Sequence, residues 1–365
     1  MSRTVLFVLP SFGGGGAERV IITIANHLNR SEWSPVVVVC DGTGELKHML
    51  ASDIGVIDLK KKHVRNAIPS LISVVWKMKP DILLTTLTHL NFAVAMIRPF
   101  LPPRTSVIAR EANLPRKSLA GESHPRLYQF SYRYIYNRFD IIVAQSEQMQ
   151  RDIVGSYRIS PSRVRVIYNP VDLDTVNRMA AGGSIPNWPS PGMKLLAVGR
   201  LAEQKGFDLL LRSIAHMKHR ISLVVLGEGD EREHLEHLSR KLGITDRVDF
   251  RGYDTNPYRW MRHADLFVLS SRYEGFPNAV LEAMVCGTPV AAFQGDTSVQ
   301  EIICNEGEGS LTSSSSIESL AAAIDKALDT DWDEDVLKRS IRERFGVKEI
   351  VMQYEGLFSS LLSRK

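Results

Sequence analysis

Short, unbroken apolar runs recur along the chain. Each is followed by a segment whose apolar positions return every three or four residues. The first run is Thr4 to Leu9 (TVLFVL), and after it Val20, Ile21, Ile24 and Leu28 mark one face of a helix from about Ala17 to Leu28. A run without polar alternation fits a strand buried on both faces, and the 3.6-residue period fits a helix laid against it. The same pairing predicts strands at 35–40, 56–59, 81–86, 107–110, 141–144 and 164–168, with helices over 66–79, 89–100, 125–137 and 147–156. Strands alternating with helices imply a parallel sheet covered on both faces.

At 180–192 (AAGGSIPNWPSPG) the period is lost among Gly, Pro and Ser, and then it restarts. Strands are expected at 194–198, 222–226, 248–251, 264–270 and 289–293, helices at 207–217, 231–242, 257–263 and 277–286, and a mostly helical tail from Ile317. The 365 residues exceed the roughly 250–300 at which a single core stops growing. The expected fold class is therefore α/β, two Rossmann-like domains with parallel sheets facing a central cleft. The expected division is 1–178, a linker 179–192, a second domain 193–345, and a C-terminal helix 346–365 packing back on the first domain.

Composition narrows the class. With 44% apolar and 24% charged residues the chain is ordinary globular protein rather than disordered. Three distant cysteines, Cys40, Cys286 and Cys304, have no metal spacing and read as reduced thiols. The apolar run at Val5–Leu9 is too short for a signal sequence, and Arg98 and Pro99 interrupt the later stretch 91–101, so an integral membrane protein is not expected. Residues 1–180 hold 23 Lys and Arg against 14 Asp and Glu, a balance of +9, while 181–365 hold 22 against 27, a balance of −5. A basic first half suggests an anionic partner for that half.

Candidate chemistry gathers at Arg272 to Val290 (RYEGFPNAVLEAMVCGTPV), where Glu274 and Glu282 flank a Gly-Phe-Pro bend and a helix start. A glycosidase needs carboxyl groups ~5–9.5 Å apart, whereas eight helical residues rise ~12 Å. The two acids therefore read as contacts along one elongated ligand. The N–H groups of Asn278, Ala279 and Val280 lie in the first helical turn, which favours phosphate oxygens. Arg200 and Lys205 follow the strand at 194–198 and suit a diphosphate whose leaving oxygen gains charge. Pro10 to Gly16 (PSFGGGG) joins the first strand to its helix, a layout that can bring backbone N–H groups to a ligand but lacks the spacing of a P-loop or dinucleotide motif.

Taken in order, these segments resemble the retaining glycosyltransferases of the GT-B architecture in family four. The resemblance runs from Gly13–Gly16 with Ala17-Glu18, through Asn169-Pro170-Val171-Asp172, Gly199-Arg200-Leu201 with Lys205-Gly206 and Gly227-Glu228-Gly229, to Glu274–Glu282. It implies that Arg200 and Lys205 bind the donor diphosphate and that Glu274 contacts the donor sugar, helped by Gly275, Phe276 and Pro277. Glu282 would bind the ribose, with the base near Gly227, Arg251 and Tyr253. Gly15 and Gly16 would approach the donor, and Gly13 and Gly14 the acceptor. The resemblance further implies retention, no cofactor and no obligatory metal.

Many members carry a histidine after the strand that here ends at Arg110. This chain has Glu111 and Asn113 in that neighbourhood, with His89 and His124 nearby in sequence. Glu111 is kept as a catalytic candidate and Asn113 as an acceptor-binding one. Asp172-Leu173-Asp174 has the form of a DxD metal motif but reads as a domain-junction feature, so no metal is assigned. Arg116-Lys117, Arg126, Arg133 and Arg138, interleaved with Tyr128, Phe130, Tyr132, Tyr134, Tyr136 and Phe139, suit an anionic membrane surface; no nucleic-acid motif accompanies them. The expectation is a cytoplasmic, peripherally membrane-bound enzyme that moves a hexose or N-acetylhexosamine from a UDP-sugar to a polyprenyl-diphosphate-linked saccharide in surface polysaccharide or glycan synthesis. A sugar-nucleotide epimerase of the same fold and a non-catalytic membrane-binding module stay open beside it.

Overall fold

The computed structural model describes residues 2–13, 15–118, 125–184, 186–312, 314 and 316–363. They divide into two units, residues 1–170 with 347–365, and residues 171–346.

The strands of the first unit are β1 (Arg3–Ser11), β2 (Trp33–Asp41), β3 (Gly55–Asp58), β4 (Ile82–Thr86), β5 (Ser106–Arg110), β6 (Ile141–Ala144) and β7 (Val164–Val166). All pair in parallel in the order β3-β2-β1-β4-β5-β6-β7. Its helices are α1 (Gly16–His27), α2 (Val64–Met78), α3 (Thr88–Ile97), α4 (Pro115–Ser118), α5 (Pro125–Tyr134) and α6 (Glu147–Tyr157). The central strands β4 and β5 are buried along their whole length, which is why they carry no polar alternation.

The second unit runs α7 (Leu173–Ala181), β8 (Met193–Val198), α8 (Phe207–Ala215), β9 (Ile221–Leu226), α9 (Arg232–Lys241), β10 (Val248–Gly252), α10 (Tyr258–His263), β11 (Leu266–Leu269), α11 (Asn278–Val285), β12 (Val290–Ala292), β13 (Ser310–Leu311), α12 (Ile317–Leu328) and α13 (Glu334–Phe345). Its sheet is also parallel, ordered β10-β9-β8-β11-β12-β13. The chain then returns to the first unit as α14 (Val347–Leu362). Ile350, Val351, Tyr354, Leu357, Phe358 and Leu361 recur at helical spacing on α14 and join the core of β1, β2 and α1. The Phe358 ring meets Trp33 edge-on with centroids 5.4 Å apart.

The boundary differs from the sequence reading. The units part between Pro170 and Val171, not at 178. Residues 173–181, read without structure, form α7 inside the second unit, and the segment 179–192 lies within that unit rather than between two. Asp172 explains the helix: its carboxylate accepts from Thr175 N at 3.1 Å and Thr175 Oγ1 at 2.7 Å, an N-cap.

Candidate active site

In parallel sheets ligand chemistry gathers at the carboxyl ends of the strands, and in the second unit those ends are tied tightly together. Gly199, just past β8, donates to Leu226 O at 2.9 Å; Gly227, just past β9, donates to Gly252 O at 2.8 Å; Leu201 donates to Glu228 O at 2.8 Å. Gly227 has φ +142°, and a Cβ there would lie 1.9 Å from the Gly199 carbonyl oxygen. Only glycine allows that approach. The loop ends at Gly206, φ +62°, where a Cβ would lie 2.1 Å from Ser270 O, so the loops after β8 and β11 touch backbone to backbone.

Side chains lock the same contact. Arg272 forks onto Asp208, both N–O distances 2.8 Å, and also donates to Glu203 O at 2.8 Å. Burial acts to raise the Asp208 pKa, but the Arg272 hydrogen bonds and charge outweigh it and hold the carboxyl below its usual range. The same hydrogen bonds raise the Arg272 pKa. Gln204 Nε2 donates to Tyr273 O at 3.0 Å, and Ser270 Oγ to Lys205 O at 2.9 Å.

This scaffold presents a small polar cluster. Glu274 is 7% exposed, and its Oε1 accepts from Lys205 Nζ at 2.5 Å and from Ser271 Oγ at 2.8 Å. Its N–H donates to Asp296 O at 3.2 Å, and Ser298 Oγ donates to Gly275 O at 2.9 Å, so the Gly275–Pro277 bend is buried and clamped. Phe276 packs on Phe345 with centroids 5.5 Å apart. Arg200 is exposed, and its guanidinium has no partner among the described residues. Lys205 keeps donors beyond the one given to Glu274. An anion reaching this tip meets two cations, one exposed and unpaired and one fixed by a buried carboxylate. Among the described residues no group of His, Cys, Asp and Glu could hold a metal ion.

The helix that follows, α11, starts without a side-chain cap. Val280 N–H is already taken by Pro277 O at 3.0 Å, so it does not offer the open donor expected of it. Asn278 and Ala279 occupy the rest of that first turn. Glu282 turns toward α10, where Tyr258 OH donates to its Oε1 at 3.3 Å.

Two expected base contacts sit differently. Arg251 is exposed on the edge strand β10, pairs with Asp249 at 2.5 Å, lies over the Trp260 ring at 5.4 Å and donates to Asn187 O at 2.8 Å. It pins the 186–188 segment rather than facing a ligand at the strand tips. Tyr253, just past the same strand, is 48% exposed.

In the first unit, Gly13 N–H is taken by Ser11 Oγ at 3.1 Å. Gly15 is the N-cap of α1 and Gly16 its first residue; both are exposed, and the Glu18 carboxylate folds over Gly15. Gly14 and His124 lie outside the described residues. Glu111 is not available as a substrate contact. It is wholly buried, accepts from Tyr132 OH at 2.7 Å and Asn91 Nδ2 at 2.9 Å, and thereby ties α5 and α3 to the sheet. Burial raises its pKa against the pull of those donors. Asn113 bonds its neighbour's amide, Leu114 N, at 2.9 Å. Of the basic and aromatic residues, Arg116, Arg133, Phe130 and Tyr134 are exposed and, with the buried Tyr157, line an open groove of about 430 Å³. Tyr132, Tyr136 and Phe139 are instead buried in the first unit and face no membrane, and the side chains of Arg126 and Tyr128 lie outside the described residues. Ser271, Asp208 and Arg272 were not foreseen at the site. Asp208, in the first turn of α8, and Arg272, in the loop after β11, bear opposite charges 64 positions apart, and spacing alone cannot pair them.

The family described as Glycosyltransferase Family 4 matches residues 14–175, and that described as Glycosyl transferases group 1 matches residues 185–344. The chain is a GT-B glycosyltransferase. One relative of this glycosyltransferase is the N-acetylgalactosamine-N,N'-diacetylbacillosaminyl-diphospho-undecaprenol 4-alpha-N-acetylgalactosaminyltransferase of Campylobacter jejuni, 25% identical over 91% of each chain. Another is the lipopolysaccharide core biosynthesis glycosyltransferase LpsE of Rhizobium meliloti, 25% identical over 77% of this chain and 76% of that one. Among solved structures, Anabaena HepE in complex with UDP-glucose superposes with a TM-score of 0.81 at 19% identity, covering 98% of this chain and 99% of that one. That likeness speaks for the shared fold.

Proposed function

We propose that this glycosyltransferase moves a hexose or N-acetylhexosamine from a UDP-sugar to a lipid-linked diphospho-saccharide, with retention and without a metal. The observation that carries the reading is the Lys205–Glu274–Ser271 cluster beside the unpaired Arg200, at the strand tips of the second unit. Arg200 and Lys205 would stabilise the charge that develops on the departing diphosphate, where preorganised cations act most strongly. Glu274 fixes the Lys205 ammonium in place and keeps a second carboxylate oxygen for a donor-sugar hydroxyl. Glu282 would take the ribose. The relative whose name includes a diphospho-undecaprenol acceptor supports a lipid-linked substrate.

No helix among the described residues is long and apolar enough to cross a membrane. Phe130 and Tyr134, 55% and 57% exposed beside Arg133, suit peripheral attachment to an anionic leaflet at the cytoplasmic face.

Incubation with labelled UDP-sugars and a polyprenyl-diphospho-N-acetylhexosamine tests the reading. Transfer is expected to persist in EDTA, to yield an α-linked product from an α-linked donor, and to fall at least a hundredfold on Glu274→Ala or Arg200→Ala. Transfer with no UDP-sugar, or full transfer by Glu274→Ala, overturns it. Co-sedimentation with phosphatidylglycerol vesicles but not phosphatidylcholine vesicles tests the membrane part.

A further inference from the structure

Of the three residues that follow Glu274, Gly275 has no side chain and Pro277 leads into α11, so Phe276 carries the bend's grip on the rest of the second unit. Its ring, 6% exposed, leans on that of Phe345, 1% exposed, with the planes 58° apart. Phe345 is the last residue of α13, and this helix end is itself fastened. Arg344 donates to Ile302 O at 2.7 Å, to Glu301 O at 3.3 Å and to the Glu308 carboxylate at 3.3 Å, and its guanidinium lies 4.9 Å from the Phe345 ring centre. The turn Ser298–Glu301 that it holds begins with the serine whose hydroxyl grips Gly275 O. The bend is thus held at its backbone and at its ring by one connected group. Phe345 has a further attachment: its carbonyl accepts from Val171 N–H at 2.9 Å, and Val171 pairs with Gly346 as an isolated parallel bridge. Val171 is the first residue of the second unit and Gly346 its last, so both passages of the chain to the first unit start from this bridge.

We infer that Phe345 is a positioning residue for the bend that presents Glu274: its ring sets where the bend stands, and its backbone ties that bend to the two passages of the chain. Close-packed rings transmit a displacement because no void absorbs it. A ligand that stills the bend therefore stills the Phe345 carbonyl and the Val171 amide bonded to it, and a shift at either passage moves Glu274. Leucine at position 345 keeps an apolar filling but loses the ring contact. The slackened bend then misplaces the carboxylate for the reaction while a nucleotide still finds room to bind. That the ligand is a nucleoside diphosphate rests on the function proposed above; the tie to the passages is read with UDP alone, without turnover.

The test follows amide hydrogen exchange by mass spectrometry in the full chain, with and without UDP, in peptides containing Glu274, Val171 and Gly346. In the wild type UDP slows exchange in all three. In Phe345→Leu, with UDP affinity nearly unchanged, it still slows exchange at Glu274 but no longer at Val171 or Gly346. In transfer from a labelled UDP-sugar, kcat of that variant falls about tenfold, the size of one ring pair, while KM for the UDP-sugar changes less than about threefold. A purely structural role would lower the melting temperature and leave the UDP-dependent protection at Val171 as it is. Thermal melts confirm that the variant folds; where it does not, Phe276→Leu opens the same contact from the other side and gives the same exchange pattern. Protection of Val171 and Gly346 that persists in the leucine variants overturns the inference. So does an unchanged kcat, or a wild type in which UDP slows exchange at Glu274 alone. A wild type that does not bind UDP overturns both the inference and the proposed function. The expected exchange pattern without transfer to a lipid acceptor leaves this inference standing and removes the proposed function instead.

Discussion

Replacing Glu274 by alanine removes one carboxylate and strands two donors, Lys205 Nζ and Ser271 Oγ. Breaking a fully buried ion pair from one side costs about 3–5 kcal/mol. Here the Glu274 side chain is 9% exposed but that of Lys205 is 24% exposed, so the ammonium can swing partly into water. A loss of about 2–3 kcal/mol is therefore expected for Glu274→Ala. Glutamine keeps the shape and can still accept from Ser271, so Glu274→Gln should lose only about 1 kcal/mol. Urea titration followed by hydrogen exchange at residues 270–276 reads the second unit alone. A double-mutant cycle with Lys205→Met should return a coupling of about 1–2 kcal/mol. Transfer activity should fall sharply in both Glu274 variants although the glutamine form stays nearly as stable, and that split separates a role in the reaction from a role in folding. A coupling under about 0.5 kcal/mol, or a fully active Glu274→Gln, refutes the reasoning.

Gly227→Ala places a Cβ 1.9 Å from Gly199 O at a positive φ, and should cost about 1–3 kcal/mol and several degrees of melting temperature by calorimetry. His219 bridges Asp325 at 2.7 Å and Asp329 at 3.1 Å, and the Asp325 hydrogen bond raises its pKa. Its stabilisation is thus full below the unfolded-state pKa and disappears as pH rises through the raised folded value, so melts of wild type and His219→Asn should converge toward alkaline pH. Cys304 is exposed, whereas burial pushes the Cys40 and Cys286 thiols up to about 11 and about 12; a maleimide titration of native protein at neutral pH should therefore modify Cys304 ahead of the other two.

Much of the fold was legible because burial on both faces writes strands such as Ile82–Thr86 and Ser106–Arg110 as unbroken apolar runs. The helix Leu173–Ala181 escaped because it follows an Asp-Leu-Asp that looks like a junction and leads into glycines; its signal was the capping aspartate. Glu111 was misplaced because sequence does not report depth: one residue past the strand, its carboxylate turns in under α5. The alternation along Val248–Gly252 did carry the needed sign for Arg251, since Val248 and Phe250 face the core and put Arg251 on the other side. The Lys205–Glu274 pair spans 69 positions, and no spacing rule could have joined it. Only the resemblance to a family put both residues at one ligand.

The helix Val347–Leu362 has a consequence for the order in which this protein is made. The second unit is one uninterrupted stretch, 171–346, whereas the first needs residues from both ends of the chain. As the polypeptide emerges from the ribosome, the seat for Phe358 beside Trp33 stays open until the whole second unit has been made. The domain synthesised second is thus able to close first. The domain begun first waits with an exposed apolar face, the state in which chaperones bind and aggregation starts.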